Sequence, residues 1–257
     1  MKTLSSILKR ASAWLGWTTL FALSYSQAPL FTSNQNQYFL KGLARAGWGY
    51  LQNDWLVITR ASTPVFSSLV ETSYRLTGVI WPFYLMYALL TGVYLFSLLE
   101  ILDQLFKVKH DRLTRWFTLS TIILLHAALT RAVLSRTLGT AWNFVLEGGW
   151  AGQRLLGEVF QPSSFGVLLL LSISLFLNRR YLLAVILPPL TATVHPTYLL
   201  SAGALTGSYL LILALEEKQW KQAFTLSLLA TAGVGMWLFE KERVERGKVP
   251  AMGSDSS

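Results

Sequence analysis

The sequence predicts an all-α, polytopic helical membrane protein, with about six to seven transmembrane helices and amphipathic surface helices in the first external loop. Three observations carry that expectation. Of 257 residues, 53% are hydrophobic and only 14% are charged, against the roughly 25% charged residues of soluble domains. Apolar runs recur that reach or approach the ~20 residues a membrane helix needs. The Lys and Arg residues behind the net charge of +9 cluster beside those runs, as topology determinants do. In a soluble chain the same charge would suggest nucleic acid; placed this way it does not. Cysteine is absent, which excludes disulfides, thiol catalysis and thiolate metal sites.

Lys2, Lys9 and Arg10 precede an apolar run over 11–31. This reads as a retained first span with the N-terminus inside, because Ser24-Tyr25-Ser26-Gln27-Ala28 makes a poor signal-peptide cleavage site. An external loop follows to Thr77, with four amides in sequence, Asn34, Gln35, Asn36 and Gln37. Beyond them Gln37, Lys41, Arg45, Gly49 and Gln52 form a polar stripe, and Leu40, Leu43, Gly47, Trp48 and Leu51 oppose it at helical spacing. Such a segment lies along a membrane surface. The second span is 78–102, with Trp81-Pro82 at its mouth. Lys107, Lys109, Arg112 and Arg115 then mark an inside loop.

The third span, 117–134, contains His126, with Arg131 near its exit. A second external polar segment runs from Ser135 to Ser164, and a short span at 163–178 stops at Arg179-Arg180. The run 181–194 makes only ~21 Å of helix against a ~30 Å hydrocarbon core. Pro188-Pro189 should break it. With 197–215 it reads as a kinked or re-entrant pair turning at His195-Pro196, below the outer surface. Glu216, Glu217, Lys218 and Lys221 form an inner loop before a seventh run at 223–239. Residues 1–239 thus make one transmembrane domain, followed by a disordered polar tail over 240–257. If the seventh run crosses, Lys241, Arg243, Arg246 and Lys248 lie outside, against the orientation rule.

Both polar segments and the His195 turn fall on the outer side, where a site can form. Asp54 is the first candidate catalytic carboxylate, since partial desolvation beside Trp55 would raise its pKa toward general-base use. Its other reading is a helix N-cap, or an ion pair with Arg45 or Arg60. Glu147 and Glu158 come next. The Gly148-Gly149 pair could admit a ligand close to the backbone, though the segment lacks the Lys-Ser/Thr of a phosphate loop. Arg131, Arg136 and Arg154 could clamp phosphate, or serve only in headgroup contact and packing. His195, before a proline in a broken segment, is a better functional candidate than His126, which reads as a buried, hydrogen-bonded neutral histidine. The amides Asn34, Gln35, Asn36 and Gln37, with Gln161, suit polyhydroxylated ligands or backbone groups. The histidine spacing gives no zinc motif, and no serine has nucleophile-elbow context.

The stretches Ser33-Asn34-Gln35-Asn36-Gln37-Tyr38-Phe39-Leu40, Asn53-Asp54-Trp55, Phe160-Gln161-Pro162-Ser163-Ser164-Phe165-Gly166 and Ala192-Thr193-Val194-His195-Pro196-Thr197-Tyr198 resemble a family of uncharacterised bacterial multi-pass membrane proteins. The outline resembles the GT-C superfamily, whose members transfer sugars from polyprenyl-phosphate donors. That resemblance implies a bacterial inner (plasma) membrane location, a lipid-phosphate-linked sugar donor, and a first-loop carboxylate, here Asp54, acting as base or metal ligand. It names no cofactor and leaves a divalent metal open. Asp54, His195 and Glu147 are then the expected catalytic set, with Asn34 to Gln37, Arg131, Arg154 and Gln161 on substrate. Two other classes stand beside it: a lipid- or glycan-binding component or truncated inactive relative, and a transporter, suggested by the Pro188-Pro189 break.

Overall fold

The structure, a computed structural model, describes residues 2–231 apart from 60, 150–152 and 217. The expected tail at 240–257, the end of the expected run 223–239, Arg60, Glu217, and the Trp150 to Gly152 part of the second polar segment lie outside the described residues. Among those described, all regular structure is helical, apart from one isolated antiparallel bridge between Gly148 and Arg154.

Helix α1, Lys2–Tyr25, starts inside the basic segment and ends before Ser26, so the end of the expected first span is loop. The amide-rich stretch forms α2, Gln35–Arg45. A short turn at Leu51–Asn53 leads to the one-turn α3, Trp55–Ile58, and then to α4, Pro64–Thr77. Pro64 starts α4 where a missing N–H costs nothing, and Gly78, at φ 68°, ends it in the left-handed conformation glycine favours. α2 lies tight on α4 because Gly42 has no side chain: a Cβ there would collide with the Ser67 carbonyl and Val70.

α5, Trp81–Phe106, is the long central helix. α1 crosses it at Gly92, where a Cβ would strike Thr18, the small-residue approach that membrane helices use. α6, Arg112–His126, and α7, Ala128–Leu138, meet at a 58° bend. The bend has a definite cause, since Ala127 is extended (φ −58°, ψ 143°) and interrupts the ladder. After the short α8, Trp142–Glu147, the chain runs irregularly to a turn at Pro162–Gly166, which leads into α9, Val167–Leu177.

α10, Tyr181–Val194, contains both Pro188 and Pro189 and remains one helix, where the sequence predicts a break. The two prolines remove the N–H groups that would bond the carbonyls of Ala184 and Val185. Membrane-type helices tolerate this where neighbours pack closely, and Ala184 and Val185 are fully buried. The break comes instead at His195, extended as a residue before proline prefers. A turn at Pro196–Tyr198 then leads into α11, Leu199–Leu215. Residues 220–231 are again helical.

Two helices, α5 and Pro196–Leu215, are long and apolar enough to cross a membrane, and a third counts if α6 and α7 form one bent span. The described residues therefore hold fewer full-length spans than the six to seven the sequence predicts. Length is the reason for two of the losses: α9 and α10, at 11 and 14 residues, make only ~17 and ~21 Å of helix. Large apolar side chains nevertheless face outward along the helices, among them Leu23, Phe117, Leu124, Leu129, Leu200 and Leu211.

The main core is aromatic. Phe39 packs on Phe83 at 5.0 Å and on Phe66 at 5.5 Å, and Phe160 reaches Phe66, Tyr87 and Phe39 at 5.6 to 6.2 Å. Phe160 thus fastens the second polar segment to α2, α4 and α5. A smaller core joins α10, α11 and 220–231, where Phe176 of α9 stacks on Tyr209 at 4.3 Å.

Candidate functional site

The chain around Gly157 to Phe160 is where the polar segments meet. Its carbonyls take hydrogen bonds from three directions: Ala28 N–H to Glu158 (2.8 Å), the Gln35 amide to Phe160 (2.7 Å), and the Tyr87 hydroxyl to Gly157. The first polar segment is therefore tied to the second through backbone carbonyls that gain partners there.

Beneath this seam lies a buried polar cluster built from α1, α5, the α6–α7 bend and α8. Its centre is Glu147, which is 0% exposed and makes no hydrogen bond of regular geometry on either carboxyl oxygen. The Tyr25 hydroxyl beside it is also buried without one. Burial pushes the Glu147 carboxyl up to about 7. Tyr25 and the positive charges of Arg131 and Arg154 pull it down, while Glu158 adds to the rise.

Arg131 is 6% exposed. Its guanidinium donates to the carbonyl of His126 at 2.9 Å and of Tyr25 at 2.7 Å, and Nε lies 3.3 Å from a Glu158 oxygen. Its Cζ sits 4.1 Å from the Tyr25 ring centroid. Both carbonyls are helix-end orphans, one from the last residue of α1 and one from the α6–α7 bend. The sequence left Arg131 between a phosphate clamp and a packing role; here its guanidinium holds together two helix ends. His126 donates from Nδ1 to the Ile122 carbonyl at 2.8 Å, so Nε2 is left to accept from the Tyr94 hydroxyl at 3.0 Å.

The other expected site residues are dispersed. Asp54 is half-buried and caps α3, its Oδ1 accepting the Leu56 N–H at 2.8 Å. Asn34, Asn36 and Gln37 are exposed, whereas Gln35 is buried against Phe160. Arg154 is half-buried, with Cζ 5.3 Å from the Phe144 ring centroid. Gln161 begins the Pro162–Gly166 turn in a reciprocal cap with Ser164. His195 accepts from the Thr197 hydroxyl at 2.9 Å, a role it can fill only from an unprotonated Nδ1.

The His195 turn does meet both polar segments. The Tyr38 ring of α2 lies 6.2 Å from the His195 ring, the Gln153 amide donates to Thr197 O at 3.1 Å, and the Tyr198 hydroxyl reaches the carbonyls of Arg154 and Ser163. Among the described residues no three His, Asp or Glu side chains come close enough to hold a metal ion. Tyr25, Tyr87 and Tyr94 were not singled out from the sequence. The available signal was Tyr87, Thr91 and Tyr94 at helical spacing on one face of α5, hydroxyls in a mostly apolar stretch that must find partners inside. No protein-family model, curated protein or solved structure matches the chain.

Proposed function

We propose that the protein is an integral component of a bacterial plasma membrane, with six to seven passes and its N-terminus inside. It transfers a sugar from a lipid-phosphate donor at the outer face, in the manner of the GT-C superfamily. The observation that carries this reading is the Glu147 carboxyl: buried, without a hydrogen bond of regular geometry, and poised near 7, as a general acid or base requires at neutral pH. Asp54, the base that the resemblance implies, spends an oxygen on capping α3. The acid–base role therefore passes to Glu147, with Asp54 setting the shape of the first loop. His195 lies between Tyr38 and Tyr198, and Tyr198 joins it to Arg154, whose carbonyl accepts the Tyr198 hydroxyl.

Turnover of a labelled polyprenyl-phosphate-sugar in proteoliposomes tests this. Glu147→Gln should keep the fold and lose most of its turnover, while Asp54→Asn should retain both turnover and nearly all stability, because asparagine keeps the accepting Oδ1 and caps a helix about as well as aspartate. Undiminished transfer by Glu147→Gln would sink the assignment. A second reading, a non-catalytic lipid- or glycan-binding component, draws support from the way Arg131 is committed to two backbone carbonyls. On that reading wild type binds the donor and turns over none of it.

The topology has its own test, made direct by the absence of native cysteine. Single cysteines at Gln37, Gln153 or Thr197 should react with an impermeant thiol reagent from outside, and at Lys109 or Arg180 only after permeabilisation. External labelling at Lys109 would overturn the orientation and the shared outer site.

A further inference from the structure

The face of the first polar segment that was expected to lie on the membrane is covered by protein. Phe39, Leu43 and Ala44 of α2 are buried, and Gly42 brings that face onto α4. What the segment exposes instead is a patch where its far end meets the start of α5. Tyr50 is 87% exposed, Leu76 80% and Trp81 59%, and Val79 is exposed beside them. The chain brings these side chains together in steps. Gly47 and Gly49, at φ 82° and 57°, turn the chain after α2 in a conformation that glycine favours. Trp48 then stacks on Tyr74 at 5.3 Å, and the Arg75 guanidinium donates to the Arg45 carbonyl at 2.7 Å. Those two contacts hold the loop that carries Tyr50 on the last turn of α4, which carries Leu76. Gly78 then ends α4 and leads directly to Val79 and Trp81.

An exposed apolar patch of this kind marks an interaction surface, and its position and chemistry identify the occupant. Trp81, Leu85 and Leu89 are exposed at i, i+4 and i+8 of α5. The patch therefore continues the outward stripe of a helix long and apolar enough to cross a membrane. Its aromatic members are Tyr and Trp, which join an apolar ring to a polar edge and settle at headgroup depth. At its rim the single Glu71 carboxylate lies 2.9 Å from Arg75 and 3.9 Å from Arg45. The rim is thus positive by one charge, which lipid phosphate can meet.

We infer that the outer headgroup–acyl boundary of the membrane covers this patch, with Leu76 and Val79 toward the acyl chains and the polar edges of Tyr50 and Trp81 among the headgroups. The inference rests on the membrane reading above and not on the transferase chemistry. Its consequence is a fixed depth for the first polar segment. Gln35 ties that segment to the Phe160 carbonyl, so the same anchor sets the depth of the seam over the Glu147 cluster.

The test uses the full chain, which has no native cysteine, reconstituted in phosphatidylcholine vesicles with one spin-labelled cysteine at a time. Collision rates with oxygen, which concentrates in lipid, and with a water-soluble nickel chelate give the depth of each label. Tyr50→Cys, Leu76→Cys and Trp81→Cys should place the label ~5–10 Å into the headgroup–acyl boundary. Leu89→Cys, further along the stripe of α5, should lie deeper, and Asn36→Cys, exposed on α2, should lie in water. Every one of these positions is exposed, so the substitutions spare the core. Nickel access at Tyr50→Cys and Leu76→Cys equal to that at Asn36→Cys, with Leu89→Cys still shielded, overturns the inference and leaves the membrane reading standing. Nickel access at Leu89→Cys as well takes the membrane reading with it. Shielding of Tyr50→Cys and Leu76→Cys from both reagents would mean that a second copy of the chain covers the patch, and that result overturns the inference too.

Discussion

Arg131→Ala is expected to lower stability by roughly 2–5 kcal/mol, measured by reversible SDS titration in mixed micelles. Two backbone carbonyls, those of Tyr25 and His126, lose their donors, and a buried acceptor left bare costs ~1–3 kcal/mol. The Glu158 ion pair adds little, because that carboxylate is 43% exposed and can rehydrate. Removing the cation also strips Glu147 of a neighbour that favours its charged form. Arg131→Lys should fall between the two, since one ammonium cannot reproduce a planar fork spanning two helix ends. A wild-type midpoint for Arg131→Ala would show that the α6–α7 bend holds without its clamp. It would return Arg131 to the surface role the sequence suggested.

That clamp shows how far the sequence could be read. The helical class followed from composition, because long apolar runs must satisfy their own backbone groups. The sequence places the second span at 78–102, whereas α4 ends at Gly78 and α5 runs from Trp81 to Phe106. The turn at His195-Pro196 did follow from local chemistry, a residue held extended before proline. Arg131 did not. An arginine near the exit of an apolar run looks the same whether it meets a headgroup or turns inward, and only the extended Ala127, which frees the His126 carbonyl, decides it. Nothing in Leu124-Leu125-His126-Ala127-Ala128 announces a 58° bend: no proline or glycine is there, and alanine favours helix. The bend is a tertiary effect.

Pro188-Pro189 misled in the opposite direction. A proline pair argues for a break by local rules, and packing on both neighbouring helices keeps α10 intact. Asp54 and Glu147 divide on similar lines. Asp54 stood out for its place beside Trp55, and its alternative reading as a cap is the position it occupies. Glu147 ranked second because a carboxylate before two glycines resembles a loop residue, and its burial depends on Tyr25 and Arg131, over a hundred residues away for the former. Long-range burial of a charge is invisible to pattern and spacing.

Glu147→Gln should be more stable than wild type above neutral pH, by roughly 3 kcal/mol at pH 8. The sign follows from the direction of the shift. In the fold the carboxyl sits near 7, above its ordinary 4.5, so between those values the folded protein holds a proton that the unfolded chain has released. Stability then falls as pH rises, since it increases with pH only where the unfolded state binds more protons. Below about 4.5 both states are protonated and the residue contributes no penalty; above 7 both are ionised and the penalty is complete, at ~1.4 kcal/mol per pKa unit. A buried glutamine has its own desolvation cost, the same at every pH. The diagnostic is therefore the slope: wild type should lose stability from pH 5 to 8, and Glu147→Gln should lose much less. Parallel curves would show that Glu147 is solvated or paired after all, and would take with them the observation on which the proposed chemistry stands. If the slope flattens and transfer also stops, the buried carboxylate is one the fold would be more stable without, kept for what it does to substrate.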